Sequence, residues 1–393
     1  GVSSAASDVY KRQVVHSMLI SSIIFIFLAG EIIIFIIILY NRCQEREVKI
    51  MVKTEEMLKN LEELINTPSV VGFYPEIHKK LAEMVGKFGY ELEFDNKRTA
   101  YVRVPGKDSS KIVCVGAHLD TIGMQVRHVM DNGWIEVKNL GGVNFHNVEG
   151  ENVYIHTRSG KTYEGMVICK SHSTHVFDDA RSRERDKFNE AILLDEDVSC
   201  AKDVYDLGIE HGDLISVEPR FRRTEFGFIK SRHIDDKAMV AAVIDVLRQL
   251  KEENLTPAYD TLFAFPIYEE IGHGGAYVPS EVSEYVALDI GLIGPDNHGS
   301  EKKVSIGASD NYSPYDWGLT TKIINLAKAN NINYCVDTYY RFGSDATAAI
   351  RAGNNIMPAV FGVGCMNSHG YERTSVQAIE DCARLTLAYV LSE

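Results

Sequence analysis

Three things are scarce in this sequence, and each scarcity removes a class of function. Cysteine is sparse and unpaired: seven residues at 43, 114, 169, 200, 335, 365 and 382, with no Cys-x-x-Cys spacing. That pattern argues against a disulfide framework or a thiolate metal site and fits reduced thiols in a cytoplasmic protein. Positive charge is in deficit. Lys and Arg number 41 against 55 Asp and Glu, a net charge of −14, and no basic cluster interrupts it. A nucleic-acid partner needs a positive footprint, so none is expected. Helical periodicity is absent from about residue 124 to residue 226, where short β-like runs (Trp134–Val137, Val153–Thr157, Met166–Cys169, Leu214–Val217) alternate with Gly, Asn and Asp turns.

Long apolar runs are also missing, with one exception. Ser17 to Tyr40 is nearly all Ile, Phe and Leu and is long enough to span a bilayer. Glu31 interrupts it, at about 2.5–3.5 kcal/mol near mid-membrane. Lys11 and Arg12 precede the run and Arg42 and Arg46 follow it, so charge asymmetry assigns no orientation. Residues 1–50 read as translated non-coding sequence ahead of a start at Met51; the alternative is a single membrane anchor through 17–40.

The remainder alternates. Apolar stripes predict helices over Thr54–Asn66 (capped by Thr54), Glu76–Phe88, Ala238–Glu253, Trp317–Asn330, Ser344–Gly353 and Gln377–Leu391. Between them lie strands at Tyr90–Phe94, Ala100–Val104, Lys111–Asp120, Leu262–Tyr268, Tyr285–Asp289, Asn333–Asp337 and Met357–Val363. Strands alternating with helices predict an α/β fold with one doubly wound, mostly parallel sheet, carrying a small β module inserted between 124 and 226. Pro266 inside a predicted strand is tolerable only at an edge or bulge.

Metal-competent side chains close four of these strands: His118, the pair Glu269/Glu270, Asp289 and, one loop later, His369, with Asp235 at a helix start. In an open α/β sheet, ligands bind beyond the carboxyl ends of the strands, so these distant residues can converge. Each alone is as readily a satisfied core histidine or a turn acid; the joint pattern favours a site. Nitrogen and carboxylate donors without thiolate suit zinc, cobalt or manganese. Two imidazoles and several carboxylates exceed one open catalytic ion but suit two ions sharing a bridging carboxylate. Glu269, left over, is then the expected general base for a water molecule. Strand alternation would turn Glu269 and Glu270 to opposite faces. His172, His175 and Asp178, in the polar and mobile-looking stretch 171–189, read as solvated loop residues rather than as a second metal site.

The segments GAHLDTIG, IKSRHIDDKA, PIYEEIGHGGA, ALDIGLIGPDN, YRFGSDATAA and NSHGYERTS, in that order from about Met51 to the C-terminus, resemble the M42 aminopeptidases, relatives of the M28 and M20 metallopeptidases. The resemblance implies that His118, Asp235 and Asp289 hold one ion and that Asp235, Glu270 and His369 hold the other, with Asp235 bridging. It makes Glu269 the catalytic base and Asp120 the group that orients His118. It implies a cis peptide at Asp235–Asp236, and two divalent ions (Zn, Co or Mn) per subunit. Residues 51–123 and 227–393 would form the catalytic domain. Residues 124–226 would form a PDZ-like domain that drives dimerisation and assembly to a dodecamer. The substrates would be peptides with free amino termini. Arg341 and Asp345 fall in a motif near the family's active site. One departure is the His273-Gly-Gly turn after the glutamates, where the family pattern leads one to expect a hydrophobic-Arg-Gly turn.

Three rival readings remain at this level. An M20-like deacylase or carboxypeptidase would share the metals. A glycoside hydrolase using Glu269 and Glu270 conflicts with adjacent residues of a strand facing apart, since such acids must flank one bond. A non-enzymatic, membrane-tethered binding protein conflicts with an intact ligand set.

Overall fold

The computed structural model describes residues 52–393; the Ser17–Tyr40 run and the status of residues 1–50 lie outside the described residues. No described helix is long and apolar enough to cross a membrane.

Two helices open the chain, α1 (Thr54–Ile65) and α2 (Pro75–Gly86). Met57, Leu58, Leu61, Leu64 and Ile65 form the buried stripe of α1. Thr54 is not its cap: Lys53 holds that position, and the Thr54 hydroxyl instead donates to Glu380 of the last helix. Pro75 starts α2, where a missing N–H leaves no bond unmade.

Strands β1 (Glu93–Phe94), β2 (Ala100–Val104) and β3 (Asp108–Ala117) follow. The chain then leaves the sheet to build a closed barrel from β4 (Gly123–Val129), β5 (Ile135–Leu140), β6 (Asn152–His156), β7 (Thr162–Cys169), β8 (Glu190–Leu194) and β9 (Leu214–Val217), with a short helix α3 (Ala201–Asp206). Closure in the order β4-β5-β8-β7-β6-β9 leaves no exposed strand edge. Val126, Ile135, Val153, Ile155, Ile192 and Ile215 fill the interior. The 171–189 stretch lies against this barrel as a series of turns. It is held by Arg185 on Glu149 (2.7 Å) and Arg183 on Asp179 (3.1 Å). His172 packs edge-on to Phe177 and Trp134.

A hairpin of β10 (Arg222–Arg223) and β11 (Phe228–Ser231) returns the chain to α4 (Ile234–Glu252), followed by β12 (Tyr259–Phe265), β13 (Val282–Leu288), β14 (Gly291–Leu292) and β15 (Val304–Ser309). Helix α5 (Trp317–Ala329), β16 (Tyr334–Thr338), α6 (Asp345–Arg351), β17 (Met357–Cys365), β18 (Glu372–Ser375) and α7 (Val376–Leu391) complete it. The 9-stranded sheet runs β1-β2-β12-β3-β13-β17-β15-β16, with β14 beside β17. Its centre, β12-β3-β13-β17, is parallel, as expected for a doubly wound sheet; β2 pairs antiparallel with β12, and β15 antiparallel with β17 but parallel with β16. Helix α4 is buried from Ile234 to Leu250, so even its Arg248 is enclosed, paired with Asp245 at 2.8 Å.

One boundary at the site differs from expectation, and Pro266 is the reason. β12 ends at Phe265 and does not continue to Tyr268. Pro266 has no N–H to give to the ladder, and β12 is an internal strand, so the strand stops there. The Pro266 carbonyl is still used, accepting the Leu119 N–H at 2.7 Å.

Candidate metal centre

The four central strands end along one edge of the sheet. Register places Gly116 opposite both Ala264 and Ala287, and Leu288 opposite Ala117 and Phe361. His118 follows β3 directly and Asp289 follows β13 directly, so they emerge side by side. Glu269 and Glu270 come from the turn beyond β12, and His369 from the loop beyond β17. Asp235 arrives from the other direction, at the start of α4. There the backbone is not helical: Asp235 and Asp236 have ψ of 107° and 23°, and the peptide between them is cis, as the resemblance implied.

Asp235 is the hub. Its Oδ1 lies 3.1 Å from His118 Nε2 and its Oδ2 lies 3.6 Å from His369 Nε2. His118 Nε2 is also 3.8 Å from Glu269 Oε2, and His369 Nε2 is 3.3 Å from Glu270 Oε2. Two triads, His118/Glu269/Asp289 and His118/Asp235/Glu270, each bring their donor atoms within 4.8 Å of one another. Glu270 thus reaches both histidines, 3.3 Å from His369 and grouped with His118 and Asp235, whereas Glu269 lies beside His118. Strand alternation is not what separates them, however. Glu269 to Ile271 form a 3-10 turn, because Pro266 has already ended the strand, and the turn fans the two carboxyls apart.

The supporting groups are buried acids. Asp120 is fully buried; its two carboxylate oxygens accept the N–H groups of Glu269 and Glu270, each at 3.1 Å. His118 Nδ1 meets the Asp120 main-chain carbonyl at 3.0 Å and its carboxylate at 3.6 Å. Asp120 thus orients the glutamate turn as much as the imidazole. Glu372, which sequence reasoning passed over, accepts the N–H of Asp235 (3.1 Å) and of His369 (3.0 Å). Its signal was its place three residues after His369, inside the NSHGYERTS segment. Asp236, also passed over, accepts the His118 N–H at 3.1 Å, and its second oxygen is buried without a partner. His172, His175 and Asp178 join none of the described metal-competent groups.

So much buried negative charge is unstable by itself. Burial, with Asp289 and Asp345 adding to it, pushes the Glu269 carboxyl well above the usual carboxylate range. Burial likewise lifts Glu270 and Glu372 to about 8 and Asp345 to about 7. Asp289 is raised by burial and by Asp235. Burial works against a charge on His369, yet its bond to Asp235 and the nearby Glu270 raise it to about 10. His118 is raised for the same reasons: burial opposes, Asp235 and Glu269 outweigh it. Without cations the cluster is balanced by protons, held on the buried glutamates and on the two imidazoles, while Asp235, despite its burial, is pulled below the usual carboxylate range by them. Divalent cations would relieve the same repulsion, and the hard oxygen and imidazole donors match them. The residues fit such ions.

Above the cluster opens a cavity of about 470 Å³. Asp235, Glu269, Glu270, Asp289 and His369 form its floor, and Ile290, Leu292, Tyr312, Phe342 and Ala348 its more apolar wall, with Arg341 at the side.

The same arrangement, a parallel-centred α/β sheet with an acid and histidine cluster at its C-terminal edge beside an inserted barrel, frames the comparison with known proteins. The TET aminopeptidase from the marine sediment archaeon Thaumarchaeota archaeon SCGC AB-539-E09 superposes with a TM-score of 0.76 at 17% identity, covering 85% of this chain and 96% of that one. A Pyrococcus horikoshii TET1 peptidase, described as assembling into a tetrahedron or an octahedral shell, gives 0.75 at 20% identity, covering 86% and 100%. In sequence, the Bacillus subtilis (strain 168) protein named "Putative aminopeptidase YhfE" is 37% identical over 341 residues, 86% of this chain and 98% of its own length. The family model "M42 glutamyl aminopeptidase" matches residues 99–385. The chain belongs to the M42 peptidase family and is an aminopeptidase-type hydrolase.

Proposed function

We propose that this chain is a dinuclear metallo-aminopeptidase that releases the first residue of peptides. The observation that carries this reading is that Asp235 faces His118 with one oxygen and His369 with the other, so one carboxylate serves two positions at once. His118, Asp235 and Asp289 would hold one ion and Asp235, Glu270 and His369 the second, with zinc, cobalt or manganese all suited to the donors. When bound, such ions supply Lewis acidity at the scissile carbonyl and lower the pKa of the attacking water.

The chain's own residues do the rest. The acid-lined floor attracts the free α-ammonium of the substrate, and the apolar wall receives its side chain. Glu269, whose carboxyl is raised by burial and lies 3.8 Å from His118, takes a proton from water and returns it to the leaving amine nitrogen. Asp120 holds Glu269 and Glu270 through their amides, and Glu372 holds Asp235 and His369 through theirs.

The barrel, with the 124–226 segment as its domain, is proposed as a PDZ-like dimerisation unit of a homo-oligomer whose dimers assemble to a dodecamer. A cytoplasmic location goes with this reading.

Glu269→Gln tests it. Turnover of aminoacyl-arylamides should fall by about 10²–10⁴-fold while metal content by elemental analysis stays at the wild-type level. An active Gln variant would remove Glu269 as the base.

A further inference from the structure

The turn that carries the two glutamates continues as His273-Gly274-Gly275, and these glycines have a specific cause. A Cβ on Gly274 would stand 2.5 Å from Asp345 Oδ1, and one on Gly275 would stand 2.1 Å from the Asp345 carbonyl. Neither glycine has the positive φ that would explain it by backbone conformation. They are there because Asp345, the first residue of α6, comes up against the backbone of the turn. Asp345 is buried at 4% exposure, and its Oδ1 accepts the Gly275 N–H at 2.5 Å. On the same turn, Lys97 Nζ donates to the carbonyls of His273 and, at 3.1 Å, Gly274. Tyr268 stacks on the His273 ring at 5.0 Å.

We propose that Asp345 and Lys97 form a clamp that fixes the Glu269–Gly275 turn from both sides, making Asp345 a positioning residue for the catalytic base. Asp120 anchors the start of the turn through the Glu269 and Glu270 amides, and Asp345 anchors its end through the Gly275 amide. With both ends fixed, Glu269 Oε2 is held near His118. The cost of releasing one end follows from geometry: a misplacement of about 1 Å at a reacting group can lower the rate by about 10²-fold. This inference rests on Glu269 being the base.

An acid at the first position of a helix can also act merely on the helix dipole, so the test must separate positioning from folding. Steady-state kinetics, metal content and melting temperature are measured for Asp345→Asn, Asp345→Ala and Gly275→Ala, and for Asp345→Ala combined with Glu269→Gln. Asparagine keeps an oxygen at the acceptor position, so Asp345→Asn should stay within about 5-fold of wild-type kcat. Asp345→Ala and Gly275→Ala should lose about 10²-fold in kcat with KM and metal content nearly unchanged. In the Glu269→Gln background, Asp345→Ala should add no further loss, because the group it positions is already gone. Equal losses in the Asn and Ala variants, a loss that follows metal content or melting temperature, or losses that multiply in the double variant would each overturn the clamp. Full activity of Glu269→Gln alone would instead overturn the assignment of the base, which the Asn/Ala contrast at Asp345 does not address.

Discussion

The C-terminal edge of the sheet and the barrel bury opposite kinds of group. At the edge, Asp120, Asp235, Asp236, Asp289, Asp345 and Glu372 are enclosed together with His118, and each is tied to a backbone amide or an imidazole. In the barrel, Val and Ile fill the interior, and most charged side chains stay in the loops outside. The edge therefore needs protons or cations to offset its buried charge, whereas the barrel interior is apolar and gains from burial directly. Glu190 is the barrel's exception. It starts β8 fully buried, opposite Cys169, with both carboxylate oxygens unpartnered. Burial, reinforced by Glu149, raises it to about 8.

The sharpest way to break this contrast is at Asp235. Asp235→Ala removes both oxygens that face the histidines, and bound metal and turnover should vanish together; a variant that keeps its full metal content would show that the edge does not depend on this hub. In the barrel, Ile215→Ala should cost about 2–5 kcal/mol, read from the denaturant midpoint. The kcat of the folded fraction should not change; a matching fall in kcat would mean that the two regions are coupled.

The smallest effect concerns Glu190. Its folded pKa of about 8 lies above the ordinary glutamate value of 4.5. The folded state therefore binds the proton more tightly, and stability falls as pH rises from about 4.5 through 8. Glu190→Gln should remove that slope, so its melting temperature should exceed wild type most at pH 8 and above. A difference between variant and wild type that does not grow over this range would show that Glu190 is ionised in the fold.

Much of this was legible in the residues. The apolar run ending in His118 declared both a buried strand and the point where its chemistry begins, and Ala100–Val104 and Leu214–Val217 have the expected bounds. The glutamate pair was legible as a site but not as a shape. Pro266 stood in plain view, yet only the position of β12 inside the sheet makes it a strand end. Thr54 is not the cap because the helix already begins at it, with Lys53 one residue before; its hydroxyl donates to Glu380. Glu372 and Asp236 were hard to read because their work is done on backbone amides; apart from Glu372's place three residues after His369, no side-chain pattern points to them.

The barrel also has a consequence for how the chain is threaded. It leaves the sheet just after His118 and returns just before Asp235, so a contact of 3.1 Å closes an excursion of 117 residues. Closing a loop of that length costs conformational freedom that grows only logarithmically with its size. An ion held by both residues, as proposed above, would act as a clasp at the neck of that loop. The barrel could therefore lengthen or change its loops over evolutionary time with little effect at the neck, since the neck sees only where the excursion begins and ends.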